Sequence, residues 1–324
     1  NGRLCVRCLT LPEYIYAEDR VKTPLKRAKE DRGKDKWEPI TWDEAYAIIK
    51  EETDKIREKY GPEGIVYFGG TGRMSTIEGT IMTEMALGTP NGCYAQSGWS
   101  CYGPRRAACS YMAGAGIIDI DWAGYFPDRY DEEGWTLPKY IVLWGKNPLA
   151  SNPDGMFGHA IIDMMKRGTK IIMADPRMNW LACHSDYVLR LRPGTDVAVL
   201  MGLLRVIVDE DLYDHDFCDR WVYGWEEFKQ RVLEYEVDWC AETSGVPADI
   251  IKTVGRILGT EKPISMGWGL AVDQSTNGVQ IAQCIMALTA ITGNLDVPGG
   301  TPLGYKLPDG PMTAAMAVMA LFSP

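Results

Sequence analysis

Short apolar segments without polar alternation dominate the middle of the chain. Two of them, Tyr140–Trp144 and Lys170–Ala174, are separated by the apolar helical segment Gly158–Lys166. A strand buried on both faces has this uninterrupted pattern, and the strand–helix–strand order is typical of a right-handed unit with parallel strands. Residues 187–191 and 263–269 predict two further strands. We therefore expect an α/β protein with a parallel sheet and helices on both faces.

Helical periodicity predicts the elements around this sheet. Residues 197–208 and 279–291 are apolar helices, and residues 215–262 are helices interrupted by a linker at 236–246.

The N-terminal third predicts a second, incomplete α/β lobe. Thr41 followed three residues later by Glu44 is a capping-box pattern that starts a helix. Its apolar stripe, expected to face inward, comprises Ala45, Ile48, Ile49 and Ile56. Residues 64–68 predict a short buried strand, and residues 76–87 predict another helix.

Size and charge exclude several classes of protein. At 324 residues the chain is long for one core, so two domains or lobes are expected. A net charge of −10 argues against a nucleic-acid-binding face, which would be basic. No run of about 18 apolar residues occurs, so no membrane span is expected. Because Asn1 is not an initiator methionine and the apolar tail stops at Pro324, we expect sequence to be missing at both ends.

The nine cysteines predict thiol or metal chemistry more than a disulfide framework. Cys5 and Cys8 form a C-x-x-C pair, but two thiols cannot complete a four-thiolate site. Cys101 follows small and polar residues and precedes a Gly-Pro step, so it lies on an irregular turn. Arg105 and Arg106, if close, would lower its pKa and favour a thiolate, which is a soft metal ligand. The alternative is a small buried hydrophobic residue.

Two aspartates follow predicted strands, where ligands bind in parallel sheets. Asp175 comes directly after the second strand and could accept hydrogen bonds from ribose hydroxyls, or it could cap a turn. Asp196 precedes an apolar helix. It could be an N-cap, or its carboxylate could accept the two N–H donors of a guanine edge.

Seven short motifs occur in order along nearly the whole chain. They are Gly2-Arg3-Leu4-Cys5, Trp99-Ser100-Cys101-Tyr102-Gly103-Pro104-Arg105, Trp144-Gly145-Lys146-Asn147-Pro148, Asp175-Pro176-Arg177, Pro193-Gly194-Thr195-Asp196, Gly267-Trp268-Gly269 and Thr292-Gly293-Asn294. This series resembles the molybdopterin oxidoreductases of the dimethyl sulfoxide reductase superfamily. By the context of Cys101, the chain is most similar to the acetylene hydratase and catechol dehydroxylase group.

The resemblance implies a catalytic core around Mo-bis(molybdopterin guanine dinucleotide). Cys101 would be the protein ligand of molybdenum, with Ser100 as an oxygen-ligand alternative, and Trp99 and Tyr102 would shape the pocket. Asp175 would hold the ribose of one guanosine, and Asp196 its base. The same nucleotide pocket would include Gly145, Asn147, Arg177 and Gly194. The second pterin would be approached by Gly267, Gly269 and Gln274.

The resemblance also implies a [4Fe–4S] cluster in the full-length protein. Cys5 would be the last of its four cysteine ligands, and Arg7 would lie between cluster and pterin. The three upstream cysteines are not in this sequence, so the cluster is incomplete here. Tyr102 stands where formate dehydrogenases have histidine, which argues against that activity.

The implied domain organisation has four parts. Residues 1–42 would end an iron–sulfur-proximal domain, 43–101 would form the first half of an α/β lobe, 102–295 a Rossmann-like guanine-dinucleotide-binding domain, and 296–324 a truncated return toward the first lobe.

The implied activity is a two-electron reduction, dehydroxylation or oxo transfer on a small substrate, including aromatic ones, in anaerobic metabolism. An iron–sulfur electron-transfer subunit is the expected partner. A prokaryotic source is implied, with the protein either cytoplasmic or exported by a twin-arginine signal that this chain lacks. The alternatives are a non-redox hydratase or transhydroxylase on the same cofactor, and a non-catalytic electron-transfer subunit. A nicotinamide dehydrogenase is disfavoured because no G-x-G-x-x-G follows the first strand.

Overall fold

The computed structural model describes residues 4–69, 81–94, 103–114, 117–121, 136–153 and 157–304. The chain divides into two compact units. One comprises Asn1–Cys5 with Trp99–Pro308, and the other comprises Val6–Gly98 with Asp309–Pro324. The domain boundaries inferred from the sequence stay predictions.

The unit that contains residues 6–98 has two small sheets. In one of them strands β1 (Leu25–Lys26) and β2 (Glu38–Pro39) pair antiparallel, and in the other β3 (Tyr67–Gly69) and β4 (Gly92–Tyr94) pair parallel. A π-helical segment, Ile81–Leu87, precedes β4. The elements are α1 (Val6–Leu9), α2 (Leu11–Ile15), β1 (Leu25–Lys26), β2 (Glu38–Pro39), α3 (Trp42–Tyr60), β3 (Tyr67–Gly69) and β4 (Gly92–Tyr94).

Two expectations for this unit need correction. Helix α3 starts as predicted, because the Thr41 hydroxyl accepts a hydrogen bond from the Glu44 amide at 3.2 Å. None of its residues is buried, however, and Ile49 and Ile56 are exposed where the sequence predicted an inward stripe. The strand predicted to be buried at 64–68 lies at Tyr67–Gly69 instead, with Phe68 exposed. Amphipathic period alone does not tell which elements pack against a face. Of the helix predicted at 76–87, the structure describes only the part from residue 81.

The other unit contains the predicted parallel sheet. Its four strands are β6 (Tyr140–Trp144), β7 (Lys170–Ala174), β8 (Tyr187–Leu189) and β9 (Ile264–Trp268). They are all parallel, in the order β8-β7-β6-β9. All five residues of β6 and of β9 are buried, which for β6 confirms the prediction made from its unbroken apolar pattern. Strand β8 ends at Leu189, two residues earlier than predicted.

Helices cover both faces of this sheet, as predicted. Alternate residues of β6 project into two separate apolar clusters. Val142 and Trp144 belong to the cluster that includes Val199, Ile251 and Ile285, whereas Ile141 and Leu143 belong to the one that includes Ile161 and Leu181. These helices and their neighbours are α4 (Gly103–Ala113), α5 (Pro148–Ser151), α6 (Gly158–Lys166), α7 (Trp180–Cys183), α8 (Asp196–Asp209), α9 (His215–Trp221), α10 (Trp225–Leu233), α11 (Val237–Ser244), α12 (Ala248–Thr260), α13 (Leu270–Asp273) and α14 (Gly278–Ile291). The prediction of a linker at 236–246 was wrong, because these residues contain helix α11. A small antiparallel pair, β5 (Ile117–Ile118) with β10 (Leu303–Gly304), completes the unit.

Candidate functional site

The carboxyl ends of the four parallel strands meet at one edge of the sheet, which we call the carboxyl edge. Gly145 follows β6, Asp175 follows β7 and Gly269 follows β9. Asn147 caps the short helix α5 after β6, and Arg177 lies in the turn after β7. The structure therefore brings five of the predicted cofactor-binding residues to one edge, which is where ligands bind in sheets of this type. Their roles in binding stay predictions.

Asp196 is held from within the core. It is the first residue of α8, and Thr195 occupies the cap position, so the N-cap alternative for Asp196 was wrong. The indole Nε1 of Trp144 donates a 2.8 Å hydrogen bond to Asp196 Oδ1. Oδ2 has no hydrogen-bond partner among the residues that the structure describes. A half-buried carboxylate with one oxygen fixed and the other open can accept a ligand donor.

Asp175 shapes the turn that follows β7. Its Oδ1 accepts the Arg177 backbone N–H at 2.8 Å, and its Oδ2 accepts the Asn179 side-chain amide at 3.3 Å. The residue is only 4% exposed. These contacts match the turn-cap alternative. A carboxylate has about four acceptor positions, so the pattern leaves capacity for further donors, and the ribose role stays a prediction.

Two glycines hold the ends of β6 and β9 close together. Gly145 has φ +55°, in the left-handed region that favours glycine. Its amide donates to Ala174 at 2.8 Å, and the Gly269 amide donates to the Trp144 carbonyl at 3.0 Å. A Cβ on Gly269 would lie well inside van der Waals contact with the Gly145 carbonyl oxygen. The close approach of these two turns requires a residue without a side chain at 269.

The remaining predicted glycines and Gln274 differ in their surroundings. Gly267 is buried inside β9, and the space that a Cβ would need is occupied by Asp119 and Ile120, so packing within the chain already explains this glycine. Gly194 has φ +86° and open space on its Cβ side. Gln274 is exposed directly after α13.

Two ion pairs near the carboxyl edge, one partly buried and one buried, were not predicted. Lys146 Nζ lies 2.6 Å from Asp119 Oδ1, and burial lowers the pKa of Lys146 although Asp119 opposes that shift. Arg105 Nη2 lies 3.0 Å from Asp273 Oδ2 and donates to the Trp268 carbonyl at 2.9 Å. No local pattern marks these pairs, because their members are far apart in sequence. The sequence offered one indication that these residues have buried partners: Asp119 and Asp273 each lie among apolar neighbours along the chain.

The role expected of Arg105 beside Cys101 stays a prediction, because Cys101 lies outside the described residues. The Arg105 side chain is 5% exposed and pairs with Asp273. Arg106 is exposed. The predicted catalytic residues Trp99, Ser100, Cys101 and Tyr102 lie outside the described residues.

The predicted cluster residues lie at the start of the chain. Cys5 is buried, and Arg7 is exposed on α1. Cys5 and Arg7 belong to different compact units. Within the described ranges, no group of three or more His, Cys, Asp or Glu side chains could hold a metal ion.

Four other cysteines have raised thiol pKa values because they are buried. Burial raises the pKa of Cys218 and Cys284 to about 12 and that of Cys240 to about 11, and it also raises the pKa of Cys109. Such thiols stay protonated near neutral pH and act as small core residues.

Comparison with known proteins gives the family. The profile of the family described as Molybdopterin oxidoreductase matches residues 20–321, which is most of the chain. The chain belongs to the Molybdopterin oxidoreductase family. The resemblance inferred from the motifs is therefore confirmed.

Relatives within this family include enzymes of different activity. Acetylene hydratase of Syntrophotalea acetylenica is 33% identical over 304 residues, covering 93% of this chain and 39% of that protein. Formate dehydrogenase H of Escherichia coli (strain K12) is 31% identical over 306 residues, covering 92% and 40%. The solved structure of acetylene hydratase from Pelobacter acetylenicus matches with a TM-score of 0.74 at 30% identity, covering 93% and 39%. The chain thus spans about two fifths of the length of these relatives.

Membership of the Molybdopterin oxidoreductase family implies a molybdenum–pterin cofactor, and the carboxyl edge fits such a group. It offers an acceptor at Asp196 Oδ2, an exposed guanidinium at Arg177 and open space beside Gly194. These suit N–H donors, phosphate charge and the close approach of a ligand, respectively. No helix in the described ranges is both long and apolar enough to cross a membrane.

Proposed function

We propose that the full-length protein is the catalytic subunit of a molybdenum enzyme that binds Mo-bis(molybdopterin guanine dinucleotide). The observation that carries the proposal is the half-buried carboxylate of Asp196, which Trp144 holds at the carboxyl edge through one oxygen while no described residue bonds the other. Family membership supports the pterin part of the cofactor. The guanine part is supported by this acceptor, since the edge of guanine presents two adjacent N–H donors.

Each residue at the carboxyl edge has a distinct proposed role. Asp196 accepts the guanine N–H donors, and Asp175 accepts ribose hydroxyls through its remaining acceptor positions. Arg177 places positive charge beside the nucleotide phosphates, which favours anion binding. Gly194 and Asn147 line the same pocket, and Gly269 and Gln274 approach the second pterin. Gly267 acts through packing, because its surroundings are already filled.

Cys101 is the proposed protein ligand of the metal, with Ser100 as the alternative. A thiolate is the soft ligand expected at such a site, and Trp99 and Tyr102 would enclose the substrate. When bound, the cofactor would supply either two-electron chemistry, by oxo or hydroxyl exchange with a small substrate, or polarisation of the substrate by a Lewis acid without redox change. Cys5 and Arg7 would connect this site to a [4Fe–4S] cluster, and an iron–sulfur subunit would carry the electrons. We leave the compartment open between cytoplasm and twin-arginine export.

Asp196→Asn tests the proposal in the full-length protein. We expect the GMP released by acid hydrolysis, measured per mole of protein, to fall at least about tenfold, because hydrogen bonds to charged groups contribute about 1.5–3 kcal/mol. The amide would point its oxygen at the Trp144 indole and its NH₂ group at the guanine donors. Molybdenum content, measured by mass spectrometry, should fall in parallel.

Asp209→Asn is the matched control, because it makes the same change at the last residue of the same helix. Asp209 is exposed, and its ion pair with Arg205 is long, at 3.7 Å. This variant should therefore keep the wild-type content of GMP and molybdenum. An Asp196→Asn protein that carries both at wild-type levels would contradict the proposal.

A non-redox hydratase or transhydroxylase is the second candidate. The similarity to acetylene hydratase, in both sequence and structure, favours it. The two candidates differ in their need for an electron donor. For the oxidoreductase, we expect turnover of the loaded full-length enzyme to require an added reductant or oxidant in stoichiometric amount. Turnover that continues unchanged without either one would favour the hydratase, and an intact protein that purifies without molybdenum would favour the non-catalytic subunit.

A further inference from the structure

The buried side chain of Trp144 fixes the position of one carboxylate oxygen of Asp196. The side chain is 1% exposed and lies at the end of β6 inside the larger apolar cluster. Its ring is packed from several sides, so the indole N–H has a fixed direction. That N–H donates to Asp196 Oδ1 at 2.8 Å, across 52 residues of sequence.

This hydrogen bond decides how the carboxylate is presented. At the first position of a helix, an aspartate side chain could otherwise sample several rotamers and turn toward the free backbone N–H groups of the first turn. The indole selects the orientation in which Oδ1 faces the Trp144 ring, and no hydrogen bond from a described residue holds Oδ2. The second acceptor position of Oδ1 stays available, so both oxygens can receive a pair of adjacent N–H donors.

We propose that Trp144 is the positioning residue that makes the Asp196 carboxylate selective for a guanine edge over an adenine edge. This inference rests on the proposed function of Asp196. Adenine presents an acceptor and a donor where guanine presents two donors, and a carboxylate pairs with both guanine donors only when its two oxygens face the base edge. Holding the carboxylate in that orientation therefore increases the preference for guanine. Without the indole donor, the carboxylate remains but its orientation is no longer fixed.

The neighbouring strand supplies a matched control. Trp268 pairs in register with Trp144 across β6 and β9, is also 1% exposed and packs in the same cluster. Its indole Nε1 has no hydrogen-bond partner among the residues that the structure describes. Trp144→Phe and Trp268→Phe therefore make the same change in the same apolar cluster. Only the first removes a hydrogen bond to Asp196, whereas the second changes the ring beneath the Arg105 guanidinium.

The experiment measures the dissociation constants of GDP and ADP for the cofactor-free full-length protein by calorimetry. The wild-type protein and Trp268→Phe should prefer GDP. In Trp144→Phe the ratio of the two constants should fall about tenfold, mainly through weaker GDP binding, whereas a general loosening of the fold would weaken both nucleotides alike. In an Asp196→Asn background, Trp144→Phe should change the ratio no further, because the carboxylate that it orients is gone.

The outcomes separate this inference from the proposed function. If the wild-type protein shows no preference for GDP, or if Asp196→Asn leaves the preference intact, the proposed role of Asp196 fails. If Asp196→Asn abolishes the preference while Trp144→Phe behaves like Trp268→Phe, only the role of Trp144 fails. Should Trp144→Phe not fold, benzothienylalanine at position 144 keeps the shape of the ring and removes the N–H. A wild-type ratio with that side chain would overturn the inference.

Discussion

Asp273→Ala is expected to destabilise the protein by about 3–5 kcal/mol. The substitution removes the carboxylate that pairs with the buried guanidinium of Arg105, and removing one partner of a buried ion pair has a cost of that size. It also removes the acceptor for the Arg105 backbone N–H, which lies 3.2 Å from Asp273 Oδ1. Because the Arg105 guanidinium lies 4.7 Å from the Trp268 ring, denaturant unfolding followed by tryptophan fluorescence is the measurement.

Two further variants make this expectation specific to the buried pair. Adding Arg105→Met to Asp273→Ala should recover part of the lost stability, because it removes the buried charge that Asp273 paired. Asp216→Ala breaks an exposed pair with Arg220 of similar length, 3.0 Å, and should leave unfolding within error of wild type. If the double variant is less stable than Asp273→Ala alone, the buried charge is not the cause.

Gly269→Ala is expected to cost about 3 kcal/mol of stability and to reduce the amount of bound cofactor. The new Cβ would be forced against the carbonyl oxygen of Gly145, a backbone atom that can move only if both turns at the carboxyl edge move. Overpacking in a tight site costs about 1–3 kcal/mol, and the absence of a flexible neighbour places this case at the upper end. Thermal unfolding and the GMP content of the full-length protein measure the two effects.

Gly114→Ala separates this clash from backbone strain. Gly114 has φ +76°, and no atom of the described residues lies within 4 Å of the position that a Cβ would take, so alanine there costs only about 1–2 kcal/mol of left-handed strain. Gly269 has φ −96° and carries no such strain. Equal destabilisation by the two substitutions, or a Gly269→Ala protein with normal GMP content, would show that the close approach of the two turns is unimportant.

Gly267 and Gly269 show how far the sequence could predict the site. The motif at Gly267–Gly269 indicated that both glycines were functional, and a single pattern could not distinguish them. In the structure, Asp119 and Ile120 fill the space where Gly267 would carry a side chain. At Gly269 that space is filled by the backbone of the turn at Gly145. Asp175 and Asp196 were likewise predicted at strand ends, but the turn contacts of the first and the indole donor of the second were not.

Expectations about burial were reliable only where the pattern itself excluded solvent. The unbroken apolar segment at Tyr140–Trp144 predicted a strand covered on both faces, and the structure confirms this. The amphipathic helix Trp42–Tyr60 and the strand Tyr67–Gly69 carry apolar residues that stay exposed in the described part of the chain. An apolar stripe shows that a face can be buried, and only the neighbouring elements decide whether it is.

The sequence by itself determined the family, the parallel sheet and the edge at which its polar residues gather. These depend on local period, on residue type at strand ends and on the order of short motifs, all of which are written along the chain. The tertiary structure alone decided which polar groups meet: Trp144 with Asp196 across 52 residues, and Arg105 with Asp273 across 168. A buried donor or charge must be paired, but its partner is whichever distant group the packing of the helices brings within reach.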